Sequence, residues 1–229
     1  MTQFNINIIS DPICPFCYLG KKRLDKGIEL YRKVYRGGKN DTFKISWSAF
    51  YLDPELPPVG SPLAGHMERK FGKDRVPAVR ERLRKHGLQD GINFNPDSKI
   101  GHTRNAHRLI QFAKTKGNEA ENRVVMELFH AYFEGGGDIT SFDLLAGVAV
   151  KAGLDRAEAS DWLHSDQGGK EVDQEVEAAN ALGIHGVPNF TIQGDWKVDG
   201  AQDPQDFMEA IVAAKEGKSA ASADAITCS

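Results

Sequence analysis

The sequence predicts an α/β protein in which the two ends of the chain build one sheet and a large all-helical segment is inserted between them. Three observations lead there. Apolar and polar residues alternate near the N-terminus in a strand, helix, strand order. From about residue 53 to 182 the periodicity is helical. Short strand patterns then return after residue 187, followed by one more helix. The order is therefore βαβ, a helical block, then ββα. The expected division is 1–52 and 183–217 as the two parts of the sheet domain, 53–182 as the inserted helical domain, and 218–229 as a small, polar, flexible tail.

Each element has its own signal. Phe4, Ile6 and Ile8 alternate with polar residues. Leu24, Ile28, Tyr31 and Tyr35 form the stripe of a helix, and Gly37 and Gly38 stop it. Phe43, Ile45, Trp47 and Ala49 alternate again, and a right-handed crossover makes the two strands parallel. The proline-rich "LDPELPPVGSP" ends this run. Helices are expected over 77–86, closed by Gly87, over 103–116, over 119–133, from Ser141 to Gly153, and after Asp155 and Glu158, which have capping-box spacing. Val172, Val176, Ala179 and Leu182 mark the inner face of the last helix of the block, ended by Gly183. "PNFTI" and "WKVD" read as strands joined by a hairpin turn at "QGD", and "PQDFMEAIVAAK" as a closing amphipathic helix.

Composition narrows the function classes. The chain has 229 residues, a net charge of −3 and a pI near 6.2, which argues against nucleic acid and anionic membrane as partners. No stretch approaches the roughly 20 apolar residues of a membrane-spanning helix. "MTQFNINIIS" lacks the features of a secretory signal, so a cytoplasmic location is expected and the asparagines of "NDT" and "NFT" are not read as glycosylated.

Two of the three cysteines, Cys14 and Cys17, sit in "DPICPFCYLG". A structural zinc site needs about four ligands, and this pair supplies two with no second pair elsewhere. A structural disulfide is disfavoured in a reducing compartment. Redox or related thiol chemistry fits the position, because the pair opens a helix where free backbone N–H groups and the dipole favour a thiolate. Pro15 suits the first helical position. Helical spacing puts Cys17 on the buried stripe and Cys14 one turn earlier, at the exposed mouth, so Cys14 attacks and Cys17 resolves. Lys21 belongs to a basic run that reads as a solvated face. In "GVP", a cis Val187–Pro188 bond would suit a proline placed directly before a strand.

"SDPICPFCYLGKKRL", "HTRNAHRLIQFA", "LFHAYFEGGGDIT" and "LGIHGVPNFTI", followed by "DGAQ", resemble the DsbA-like thioredoxin family. The nearest branch is the FrnE-like proteins, which are similar to 2-hydroxychromene-2-carboxylate isomerases and kappa-class glutathione transferases. The resemblance runs from residue 4 to about 214. It implies a thioredoxin fold carrying an inserted helical domain, with Cys14 as nucleophile, Cys17 as resolving cysteine and Pro188 as a cis-proline beside them. It also implies that the Val187 backbone binds an extended peptide or glutathione, and that Pro15, Phe16, His102, Thr103 and His107 line the substrate cleft. The implied activity is thiol–disulfide exchange on protein or small-molecule disulfides. No tightly bound cofactor or metal is expected, glutathione is a candidate co-substrate, and a homodimer stays open.

Three departures bear on this. Phe16 stands where strongly oxidising relatives carry histidine, which implies a less oxidising couple. Cys14 stands where the isomerases and transferases carry serine, which favours disulfide exchange. His102–Thr103 replaces an Asn-Thr pair. The alternatives are a glutathione-dependent isomerase or transferase acting on a small aromatic or polyketide intermediate, and a chaperone-like binding module. His185 is expected near the cleft edge, Met67, Phe71 and Trp162 in core or lid packing, and Cys228 as a free tail thiol.

Overall fold

In the computed structural model, which describes residues 1–217, β1 (Gln3–Ser10) and β2 (Thr42–Ala49) run parallel, in register from Gln3 opposite Thr42 to Ser10 opposite Ala49. The tail 218–229, with Cys228, lies outside the described residues. Phe4, Ile6 and Ile8 point to one buried face, while Asn7 on the other accepts from the Ser46 and Ser48 hydroxyls at 3.2 and 3.1 Å. The crossover is α1 (Pro15–Val34). Its Leu24, Ile28 and Tyr31 are buried, and Gly37 turns the chain at φ +83° after it.

Next comes an excursion. β3 (Ser61–Pro62) leads into α2 (Leu63–Phe71) and α3 (Val76–Gln89), and β4 (Lys99–Ile100) returns antiparallel to β3. α2 has no counterpart among the expected helices. The expected stop at Gly87 is corrected: Gly87 lies inside α3. A Cβ there would sit 2.6 Å from the Phe94 ring and 2.7 Å from the Ile92 carbonyl, so this glycine permits a close approach, and the turn falls at Gly91 with φ +76°.

Five helices complete the insertion: α4 (Arg104–Thr115), α5 (Asn118–Phe129) with a π-turn over His130–Glu134, α6 (Phe142–Lys151), α7 (Arg156–His164) and α8 (Gly169–Ala181). Ser141 and Asp155 cap α6 and α7 by accepting from the N–H three residues on. Val172 and Ala179 face inward as expected, but Leu182 is 69% exposed. α8 ends at Ala181 and Gly183 turns left-handed. Ile184 then bonds back to the Ala179 carbonyl and takes the inner place against Ile9 and Phe50.

β5 (Asn189–Ile192) pairs antiparallel with β1, and β6 (Trp196–Asp199) with β5, through a turn with left-handed Gln193 and Gly194. α9 (Pro204–Glu216) packs beside α1, close enough that a Cβ on Gly27 would lie 2.7 Å from Phe207 Cβ. The sheet order is β2-β1-β5-β6, which leaves β2 at an edge. Side chains of the insertion satisfy that edge. Glu121 accepts from Trp47 N at 2.9 Å and Glu175 from Ala49 N at 2.8 Å, while Asn122 donates to the Ile45 carbonyl at 2.8 Å. One hydrophobic cluster runs from Phe4, Ile8 and Leu24 through Leu109 and Leu128 to Leu163.

Candidate active site

Cys14 is the N-cap of α1 and Pro15 its first residue. Cys14 N donates to the Asp11 carbonyl at 2.9 Å, and Cys17 N to the Cys14 carbonyl at 3.1 Å, so the pair is wound into one turn with both thiols free. The expectation of an exposed Cys14 is corrected. It is 2% exposed and Cys17 is fully buried. The cover comes from far along the chain: the Cys14 thiol donates to the Val187 carbonyl at 3.4 Å, and the Val187–Pro188 bond is cis. Spacing within one helix registers only that helix, not a segment that folds over its end. Phe16, at 47% exposure, is the group of the motif that meets solvent.

Cys17 has a polar neighbourhood of its own. Burial pushes its thiol up, and the hydrogen bond with Cys14 adds to this. The Ser10 hydroxyl and the Asp11 backbone act in the other direction by bonding its sulfur.

Asp11, which belongs to no recognised motif in the sequence, is fully buried beside the pair. Its carboxylate accepts from Leu52 N at 2.7 Å, from Ile13 N at 3.3 Å and from the Thr103 hydroxyl. Burial nevertheless dominates and raises its pKa to about 7. His107 Nε2 lies 3.9 Å from Asp11 Oδ1 and donates to the Phe50 carbonyl at 3.1 Å. Burial drives its pKa down to about 3, which keeps the ring neutral. A clue was present in the sequence: Asp11 is a lone carboxylate directly after the apolar strand "NIIS" and before "PIC".

Thr103 and His107, expected at the cleft, are buried around Asp11 instead of open to solvent. His102 is half-buried. Its ring meets Tyr51 at 4.7 Å, its Nδ1 accepts from Arg104 N, and burial, with Arg104 beside it, lowers its pKa. Arg104 forks onto Asp173 at 3.1 and 3.0 Å and so ties α4 to α8. Pro188 is buried and Val187 half-buried against the pair, while His185 is exposed. Met67 is buried, Phe71 is 39% exposed, and Trp162 donates from its indole to the Arg108 carbonyl. Among the described residues no cluster of three His, Cys, Asp or Glu gathers to hold a metal, and no helix is long and apolar enough to cross a membrane.

Residues 5–212 match the DSBA-like thioredoxin domain. The chain belongs to the DSBA-like thioredoxin family. Uncharacterized protein YwbO of Bacillus subtilis (strain 168) is 29% identical over 211 residues, which is 90% of this chain and 95% of that protein. The crystal structure of probable DsbA oxidoreductase SCO1869 from Streptomyces coelicolor superposes with a TM-score of 0.80 at 25% identity, covering 94% of this chain and 91% of that one. Cytosolic disulfide reductase DsbM from Pseudomonas aeruginosa shares the fold, with a TM-score of 0.60 at 13% identity over 93% and 98% of the two chains. A thioredoxin fold carrying additional helices is thus the architecture of this DsbA-like protein.

Proposed function

We propose that this protein is a cytoplasmic thiol–disulfide oxidoreductase acting on protein or glutathione disulfides without a tightly bound cofactor. One observation carries the reading: Cys14 caps a helix beside the cis Val187–Pro188 segment, with Cys17 buried one turn behind it. In the reductive direction the Cys14 thiolate attacks one substrate sulfur. A Cys14–substrate disulfide forms, and the other substrate sulfur leaves as a thiolate that takes a proton. Cys17 then attacks Cys14 Sγ, which closes the Cys14–Cys17 disulfide and expels the second substrate thiolate. The substrate gains two electrons and the pair loses two.

The residues around the pair suit these steps. The Ser10 hydroxyl and Asp11 N–H stabilise a Cys17 thiolate that burial otherwise disfavours. The Asp11 carboxyl, with a pKa near 7, is a proton-exchanging group within the same shell. The Val187 carbonyl, which now takes the Cys14 hydrogen bond, is free to meet an extended substrate backbone once the sulfur is engaged. The exposed Phe16 ring offers apolar contact at the entrance. The names of the Streptomyces and Pseudomonas structures are consistent with this activity.

Insulin reduction and scrambled-ribonuclease refolding test the reading. Cys14→Ser is expected to abolish both, and Cys17→Ser to trap a mixed disulfide that mass spectrometry detects. Full activity of Cys14→Ser refutes it. Glutathione-dependent turnover of a small aromatic that survives Cys17→Ser would instead favour an isomerase or transferase.

A further inference from the structure

We propose that α2 and α3 form a docking surface for acidic segments of the disulfide-bearing substrate. This deepens the oxidoreductase reading and rests on it. The first observation is charge. Between His66 and Gly87 there are eight Lys or Arg against three Asp or Glu, in a chain whose net charge is −3. Arg69, Lys70, Lys73, Arg75 and Arg82 are exposed, and among the described residues they have no carboxylate at ion-pair distance. Glu81 is already taken by Arg84 at 2.8 Å and Lys85 at 3.9 Å. Elsewhere the less exposed Lys21, Arg23, Lys114 and Lys215 have acidic partners, while exposed groups such as Arg32, Lys33 and Lys39 share the unpaired state of these five among the described residues.

The second observation is place. The excursion leaves and rejoins the fold through β3 and β4, and both ends lead to the thiol pair. On one side Leu52 N donates to Asp11. On the other, Thr103, three residues after β4, donates to the same carboxylate, and His102 N donates to the Pro57 carbonyl. At the start of α2, Leu63 N donates to the Ser98 carbonyl at 2.9 Å, and Ser61 pairs with Ile100, three residues before Thr103, so the helix begins on the strand pair that leads to Asp11. The far end of α3 returns to α1, where Arg23 and Lys26 hold Asp90 at 2.8 and 2.7 Å.

The third observation is packing. α2 buries only Met67 of its nine residues and leaves Phe71 exposed, with Lys70 over its ring. The pair of helices therefore contributes little to the core and presents most of its charge to solvent. A one-sign surface next to a reactive group raises the encounter rate of opposite charge, and salt screens the effect. Acidic protein or peptide is the occupant that this field selects.

Two synthetic peptides, identical except that Asp and Glu or Lys flank a single internal disulfide, provide the test. At low salt the reduced protein is expected to reduce the acidic peptide about tenfold faster in kcat/KM than its lysine twin. The ratio should fall toward unity at about 1 M salt, where screening acts over roughly 3 Å. The triple variant Arg69→Glu/Lys70→Glu/Lys73→Glu should invert the ratio. Lys73→Glu alone, between the helices, should move it the same way by a smaller factor and serves if the triple variant does not fold. A ratio near one in the unaltered protein, or one that the variants leave in place, overturns the docking surface while disulfide reduction stands. A ratio near one together with tight binding of duplex DNA at physiological salt also overturns it, in favour of a nucleic-acid surface. If neither peptide nor a neutral hydroxyethyl disulfide is reduced, the oxidoreductase reading itself fails and takes this proposal with it.

Discussion

Asp11→Asn and His107→Gln should tilt the pH dependence of folding stability in opposite directions, although both residues are buried within 3.9 Å of each other. The Asp11 pKa is raised from 3.8 to about 7 in the folded chain. Between those values the native state holds a proton that the unfolded chain releases, so this group costs stability as pH rises through the window. The slope is at most about 1.4 kcal/mol per pH unit, or about 4 kcal/mol in all. His107 falls from 6.5 to about 3. Below 6.5 the unfolded chain takes up a proton that the native state refuses, so this group costs stability as pH falls. From about pH 4 to 6.5 the two slopes oppose. Relative to the unaltered protein, Asp11→Asn should therefore gain stability with rising pH by up to about 1.4 kcal/mol per unit, and His107→Gln should lose it at the same rate. Urea unfolding followed by tryptophan fluorescence at pH 4.5, 5.5 and 6.5 measures this, with m-values compared to confirm a common unfolded state. A lost hydrogen bond to Leu52 or Phe50 shifts every point alike and leaves the slopes untouched. Parallel slopes for all three proteins would refute the account of two buried groups held in their neutral forms.

Further predictions concern packing and the motif. Gly27→Ala places a Cβ 2.7 Å from Phe207 Cβ and 2.8 Å from the Pro204 carbonyl, and should cost about 1–3 kcal/mol; an unchanged melting temperature contradicts the close α1–α9 approach. Glu121→Ala removes the acceptor of the buried Trp47 N–H and should cost about 1–3 kcal/mol, measured by urea titration. An effect no larger than that of an exposed acid such as Glu177→Ala argues against side-chain protection of the β2 edge. Phe16→His adds a donor near the pair and should raise its reduction potential by roughly 30 mV, the equivalent of about 1.4 kcal/mol, in a glutathione buffer; no shift, or a lower potential, counts against a role for that position in setting the couple.

The parts of the fold governed by local pattern were legible. The stripe Leu24, Ile28, Tyr31 is a property of one helix, and the alternation of Phe4, Ile6 and Ile8 of one strand, and each is buried as its spacing implies. The caps at Ser141 and Asp155 also depend on a few neighbouring residues. What escaped was set by contacts between distant segments. Cys14 is covered by a carbonyl 173 positions away. Gly87 reads as a helix stop until Phe94 is seen against it. α2 buries a single residue, so its stripe carries almost no signal. Asp11 gathers partners from residues 13, 52 and 103, and no spacing rule joins those positions.

The sheet draws on both ends of the chain, and this has a consequence for how the protein is made. Asn5 bonds Gln193 across 188 positions, and β1 has its second neighbour only when β5 exists. At about 5–20 residues per second, a ribosome needs roughly ten to forty seconds to supply that partner after β1 has emerged. Throughout that interval Cys14 and Cys17 are on a nascent chain without the Val187–Pro188 segment that shields them. The two thiols are thus most open to stray oxidation or mispairing before the protein is finished, and an interrupted translation product would carry them unguarded.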